Sequence, residues 1–321
     1  MGAFGLQTHI WNNNLKSVLL LAGFPVLLVL LLFGLTVGYV GLTADIASPA
    51  EGIELALVHM ARIWPFALVA AGLWFAVAFA FHQKMILASV GARGLTRKEA
   101  PDLYNLVENL SIASGMTTPK LAVIETGALN AFASGISDRT YAVTLTRGLV
   151  EALDRDELEA VIAHELTHIR NRDVRLLVIA VIFVGIFSFF GELLFRGTFE
   201  SGVRIGGHAR GRKGDSRGGG LLILIAVAAI VLAYLLAIVI RFALSQKREF
   251  LADAGSAELT KNPDALVRAL GKISGKSRVD APADVRQMMI DNEARFAGLF
   301  LTHPPIEKRI EALRRFAGAA A

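Results

Sequence analysis

The stretch VIAHELTHIRNRD, residues 161 to 173, decides how the rest of the chain is read. On a helix each residue turns ~100°, so His164 and His168 stand one turn apart and ~40° out of line, close enough for both imidazoles to reach one ion. Glu165 sits beside that face, able to take a proton from a water held there without being a ligand itself. The five residues alone also fit an ordinary charged helix whose histidines merely satisfy hydrogen bonds. Context favours the ion. Asp154 with Glu157 makes a capping box that launches a helix through DELEAVIAHELTHIRNRD, and Leu158, Val161, Ile162 and Ile169 give it an apolar stripe.

A catalytic ion of this kind takes three protein ligands, so a third is needed. The 321 residues include no cysteine, which excludes thiolate ligands and a disulfide framework alike. In SQKREFLADAGSAEL, residues 245 to 259, Glu249 and Asp253 are four apart on a predicted helix, as the histidines are. One of the two can complete the ligand set while the other orients a histidine. The same spacing also describes an exposed helix face with i,i+4 charge pairing.

Hydrophobic residues make up 54% of the chain and charged residues 19%, against about 25% charged in soluble domains. The excess lies in four uncharged runs, at 17–44, 63–83, 176–191 and 218–240. The first is too long for a signal-peptide core, and the first, second and fourth exceed the ~20 residues that a membrane helix requires. The third is short enough to span, to lie at the interface, or to dip in and return. A net charge of +5 fits basic cytoplasmic loops; no finger spacing, basic heptad or aromatic-plus-basic strand supports nucleic acid. Asp45, Glu51 and Glu54 precede the second run, whereas Lys84, Arg93, Arg97 and Lys98 follow it, which places the chain from about residue 84 onward in the cytoplasm. The Gly- and Arg-rich connection at 201–220 runs against that rule if the last two runs form a full hairpin. Still, His164 and His168 precede the third run and Glu249 follows the fourth, so a shared ion requires both runs to cross or neither.

The polar segments read as ordinary globular sequence. KLAVIET (120–126) and RTYAVTL (139–145) alternate as strands, with a short edge strand possible in GALNAFASGISDR between them. Thr96 with Glu99 predicts a capping box before a helix to about residue 113; Asn262-Pro263 predicts one to about 272, and Thr302-His303-Pro304-Pro305 one to about 316. His9, His59 and His82 belong to membrane-interface positions and His208 to a solvated loop.

HELTH followed by REFLADAG, with two apolar runs before and two between, resembles the HtpX-type membrane zinc endopeptidases, and LNAFASG upstream and THPPIEKRI downstream match that family as well. The resemblance covers nearly the whole chain. It implies a mainly α protein: a multi-pass helical membrane region plus a zincin-like (gluzincin) α+β metalloprotease domain with a small sheet. The parts would be residues 1–83 with two spans, 84–173 with the edge strand and histidine helix, 174–243 as the membrane hairpin, and 244–321 with the third ligand. It further implies one zinc ion per subunit on His164, His168 and Glu249, with Glu165 as general base and Asp253 as the partner of a ligand histidine. Asn130 would lie on the edge strand that receives substrate, and His303 and Arg309 would stabilise the oxyanion. Leu301 departs from the serine that family members often carry there. The family acts on unfolded or damaged membrane proteins from the cytoplasmic side of the bacterial inner membrane, in quality control and stress response. Oligomeric state stays open. Two rivals remain: a CAAX prenyl protease, which typically has more spans, and a metal-binding membrane protein without catalysis, although transport sites belong near the bilayer midplane.

Overall fold

The computed structural model describes residues 6–179, 182, 217–242, 247–281, 283–286, 288–291 and 304–319. In chain order the elements are α1 (Leu6–Thr43), α2 (Pro49–Ser89), β1 (Ala92–Gly94), α3 (Pro101–Ala113), β2 (Lys120–Ile124), β3 (Ala131–Ser134), β4 (Ala142–Thr146), α4 (Arg147–Ala152) and α5 (Arg155–Arg170). There follow α6 (residues 173–179), α7 (Arg217–Phe242), α8 (Lys247–Thr260), α9 (Pro263–Ile273), α10 (Ala283–Arg286) and α11 (Ile306–Ala319). The chain is thus mostly helical with one small sheet. It divides into two compact units, Val18–Ala80 with Ile182–Arg241, and Phe81–Val181 with Phe242–Ala321 and Met1–Ser17.

The first of these units is built from long apolar helices. Pro25–Thr43 within α1 and the whole of α2 are long and apolar enough to cross a membrane. The sequence puts the second span at 63–83, but the helix begins at Pro49. The reason is local: Ser48 Oγ accepts the Glu51 N–H at 3.3 Å and Glu51 reaches back to the Ala47 N–H at 2.8 Å, with proline at the first helical position. At ~1.5 Å per residue α2 extends roughly 60 Å, about twice a hydrocarbon core. Val37, Val40, Ala56, Leu222 and Ala226 form a small core, yet Phe66 is 77% exposed, and Val69, Leu73 and Leu224 are exposed beside it in the same unit. Apolar surface on that scale suits lipid better than water. The run at 176–191 is described only through 179 and at 182, and the Gly- and Arg-rich connection only from 217 onward.

The other unit carries a four-stranded mixed sheet in the order β1-β2-β4-β3. β2 and β4 run parallel from Lys120↔Ala142 to Ile124↔Thr146, and β3 pairs antiparallel with β4, leaving β3 at an edge. All four residues of β3 and all five of β4 are buried. The Asp154–Glu157 capping box is present at the start of α5, and Asn262 caps α9 through Ala265 N–H at 3.2 Å. Thr96 and Glu99 bond each other as expected, at 2.6 and 2.8 Å, but they close a turn and not a helix start. Pro101 sets the start of α3 instead, because a proline disfavours helical backbone at the residue before it, and Ala100 has ψ 68.

Candidate metal centre and active site

α5 is buried on every side from Ala160 to Ile169, so its polar residues are interior groups that need interior partners. α8 supplies them. Its residues Glu249, Ala252, Asp253, Ser256 and Ala257 are buried at helical spacing, and Ser256 Oγ donates to Ala160 O at 2.7 Å. The helices come this close because residue 255 is glycine: a Cβ there would stand 2.4 Å from Thr167 Cγ2.

That approach brings His164, His168 and Glu249 together, with one donor atom from each within 4.8 Å of the others. The two Nε2 atoms are 3.2 Å apart, and Glu249 oxygens lie 3.7 Å from each. Two ligands on one tetrahedral ion with bonds of ~2.1 Å would be roughly 3.4 Å apart. On the far side of each ring a carboxylate holds Nδ1: Asp253 at 2.9 Å from His164 and Asp173 at 3.1 Å from His168. With a proton on each Nδ1, both Nε2 atoms are bare acceptors facing each other, an arrangement that calls for a cation.

The charges agree. Glu165, Glu249, Asp253 and Asp173 are buried here, and among the described residues Arg248 and Arg309 are the permanent cations buried with them, so the cluster favours added positive charge: a proton on His164 when metal is absent, or a divalent ion in its place. Burial opposes charge on His164, but the hydrogen bonds it donates to the Asp253 and Glu249 carboxylates outweigh it and push its pKa up to about 9. Burial raises the Glu165 carboxyl, with partial relief from the two histidines and a bond from the Ala133 backbone. Burial also works against the Asp253 carboxylate, yet Arg309 and His164 hold it below the usual range.

Glu165 faces a small cavity lined by Ala133, His168, Glu249, Met288 and Ile290. Arg309, expected at the oxyanion, is fully buried behind His164. It grips Asp253 with two bonds of 2.6 and 2.9 Å and donates to Ile290 O at 2.8 Å. Asn130 stands one residue before β3, with its side chain turned inward to Ser277 O at 2.7 Å and Asp291 O at 3.0 Å. Its amide thereby pins the segment 288–291 along the edge of β3, where Ile290 N–H donates to Ala131 O at 2.8 Å and Phe132 pairs with Met289. His303 lies outside the described residues. The sequence did not single out Asp173 or Arg248, whose Nε donates to Glu249 at 3.3 Å. Arg248 adjoins a predicted ligand, whereas Asp173 follows His168 by five, a spacing that no helical pattern flags.

Comparison with known proteins agrees with this geometry. The model of peptidase family M48 matches residues 97–317. A protease HtpX homologue of Bacteroides fragilis is 42% identical over 97% of this chain and 99% of its own length. One from Streptococcus gordonii is 35% identical over the same shares. The crystal structure of S. mikatae Ste24p aligns at 19% identity and a TM-score of 0.42, covering 75% of this chain and 58% of that one, too slight a likeness to bear on the fold. By the family match and by identity sustained over nearly its full length, the chain belongs to peptidase family M48, a metalloprotease among the HtpX homologues.

Proposed function

We propose that the chain is a membrane-bound zinc endopeptidase that hydrolyses peptide bonds of misfolded or damaged membrane proteins on the cytoplasmic side of a bacterial inner membrane, in quality control and stress response. One observation carries the reading: two imidazoles and a carboxylate converge in a buried site, with ligand atoms within 4.8 Å of one another. Two nitrogens and one oxygen, each backed by a buried partner, suit zinc among the divalent ions. When bound on His164, His168 and Glu249, the ion supplies a Lewis acid and acidifies a water. Glu165 is the general base: its buried carboxylate takes the proton of the attacking water and returns it to the leaving amine. Asp253, held by Arg309, fixes the ring of His164.

Substrate adds as a strand to β3. Ala131 O and the Ala133 N–H are the groups it would use, and in the present state Ile290 and Glu165 occupy them. Residues 288–291 therefore have to give way. In this scheme residues 1–83 anchor the chain with two spans, 84–173 and 244–321 form a gluzincin-type catalytic domain, and 174–243 form the membrane hairpin. Lys84, Arg93, Arg97 and Lys98 after the second span support the cytoplasmic orientation.

The test is metal analysis of the detergent-purified chain followed by cleavage assays with and without a chelator, on an unfolded membrane protein and on a prenylated peptide. Chelator-sensitive cleavage of the unfolded protein is expected. Cleavage of the prenylated peptide alone would redirect the substrate assignment, and a metal-loaded chain that cleaves neither would be a binding protein.

A further inference from the structure

We infer that Asp173 is a positioning residue for the metal site, orienting His168 as Asp253 orients His164; this rests on the metal reading above. The backbone shows how it gets there. Had α5 continued, residue 173 would stand five positions beyond His168, some 140° around the helix and pointing elsewhere. Instead the chain closes a turn, with Asn171 N–H on Thr167 O at 2.9 Å and Arg172 N–H on Ile169 O at 3.0 Å. Arg172 then enters the left-handed region at φ 60, one of two non-glycine residues among those described to do so. That reversal folds Asp173 back beneath the histidine, where its Oδ2 lies 3.1 Å from Nδ1 in a buried setting.

The chemical consequence concerns the proton. An imidazole without an acceptor at Nδ1 can carry its proton on Nε2, the atom that must be bare to bind an ion. A carboxylate at Nδ1 selects the useful tautomer, fixes the ring plane and makes Nε2 more basic. Each ligand histidine has one such carboxylate, and the two come from different elements: Asp253 from the middle of α8, Asp173 from the turn after α5. Asp173 also opens α6, and a carboxylate at a helix start stabilises it without any metal. The two roles predict different measurements.

The experiment uses the full chain in detergent, loaded with zinc against a chromophoric chelator of known affinity, as wild type, Asp173→Ala and Asp173→Asn. The positioning role predicts that Asp173→Ala weakens zinc binding about 10- to 100-fold. Asp173→Asn should weaken it less, since its amide oxygen still accepts the Nδ1 proton, and the metal-free melting temperature should stay near wild type in both. Wild-type zinc affinity in Asp173→Ala, or a lowered metal-free melting temperature with zinc affinity intact, overturns it in favour of the helix-start role. A wild-type chain that binds no divalent ion overturns this inference and the metal reading together, so the two failures are told apart by the wild-type titration.

Discussion

The Nε2 atoms of His164 and His168 face each other across 3.2 Å while Asp253 and Asp173 hold the opposite ring nitrogens. Bare nitrogens in such a pair repel unless a cation lies between them, a proton in the metal-free chain or a metal ion that displaces it. One divalent ion per chain should therefore bind, and at a free concentration 1,000 times its Kd it should add about 4 kcal/mol to stability. Melting curves with zinc and with a chelator check this; curves that coincide would remove the ion from the site.

Glu165→Gln keeps the shape of the general base and removes its charge. Zinc content should be unchanged, because Glu165 is not among the three converging ligands. Turnover should fall about 10²- to 10⁴-fold, the range for loss of a general acid–base. Activity close to wild type in a metal-loaded variant would exclude Glu165 as the base.

Arg309 tests whether its buried contacts or an oxyanion role matters more. Its guanidinium bonds Asp253 twice and Ile290 O once, with no exposed surface. Arg309→Ala leaves the Asp253 carboxylate buried without its main partner, a change that costs about 3–5 kcal/mol. Arg309→Lys restores charge but not the two-pronged geometry and should recover only part of the loss. Denaturant unfolding of the metal-free forms measures both; a purely kinetic effect with stability intact would return Arg309 to the oxyanion.

The His164 pKa of about 9, against an ordinary 6.5, gives a sign to the pH dependence of the metal-free chain. The folded state holds this proton more tightly than the unfolded one, so the contribution is complete below pH 6.5 and is lost as pH rises through 9. Metal-free protein should thus melt lower at pH 9 than at pH 6.5. With zinc present, protons compete with the ion, and apparent affinity should rise across the same window. Thermal scans in chelator and in zinc should trend in opposite directions; parallel trends would take His164 out of the ligand set.

Where local chemistry decides an element, the sequence showed it. Asp154 with Glu157 marks the start of α5 and Asn262-Pro263 that of α9, since each rests on contacts within a few residues, while alternation marks β2 and β4 although they pair with each other 22 positions apart. The Ser48–Glu51 cap is equally local, but it lies outside the uncharged run at 63–83, because Glu51, Glu54 and Arg62 interrupt the apolar pattern over the first turns of α2. β1 was invisible for another reason: three residues with no pattern of their own become a strand only by pairing with β2. In the site, ligand chemistry pairs HELTH with Glu249 or Asp253, and the choice of Glu249 comes from the family resemblance. Asp173 and the inward turn of Arg309 follow from neither, because one depends on the backbone angle at Arg172 and the other on how α11 meets α8.

The segment 288–291 supplies the sharpest test of how substrate enters. Antiparallel pairing of Phe132 with Met289 sets Ala131 opposite Ile290, and the Ile290 N–H to Ala131 O bond at 2.8 Å agrees with that register. Opposed residues of this kind lie within disulfide range, and the chain has no native cysteine to interfere. The double variant Ala131→Cys, Ile290→Cys should therefore form one defined cross-link. Oxidised, it would hold residues 288–291 on the edge that a substrate strand needs; reduced, it frees them. Because both states share the same two substitutions, any packing loss from replacing Ile290 cancels in the comparison. The reduced form should cleave an unfolded protein at least about 10-fold faster than the oxidised form, a difference of ~1.4 kcal/mol or more in the barrier. Zinc content should be equal in both, since none of the three converging ligands lies in the cross-linked pair. If the oxidised protein cleaves as fast as the reduced one, substrate does not add to β3, and the strand-addition scheme falls while the metal site stands.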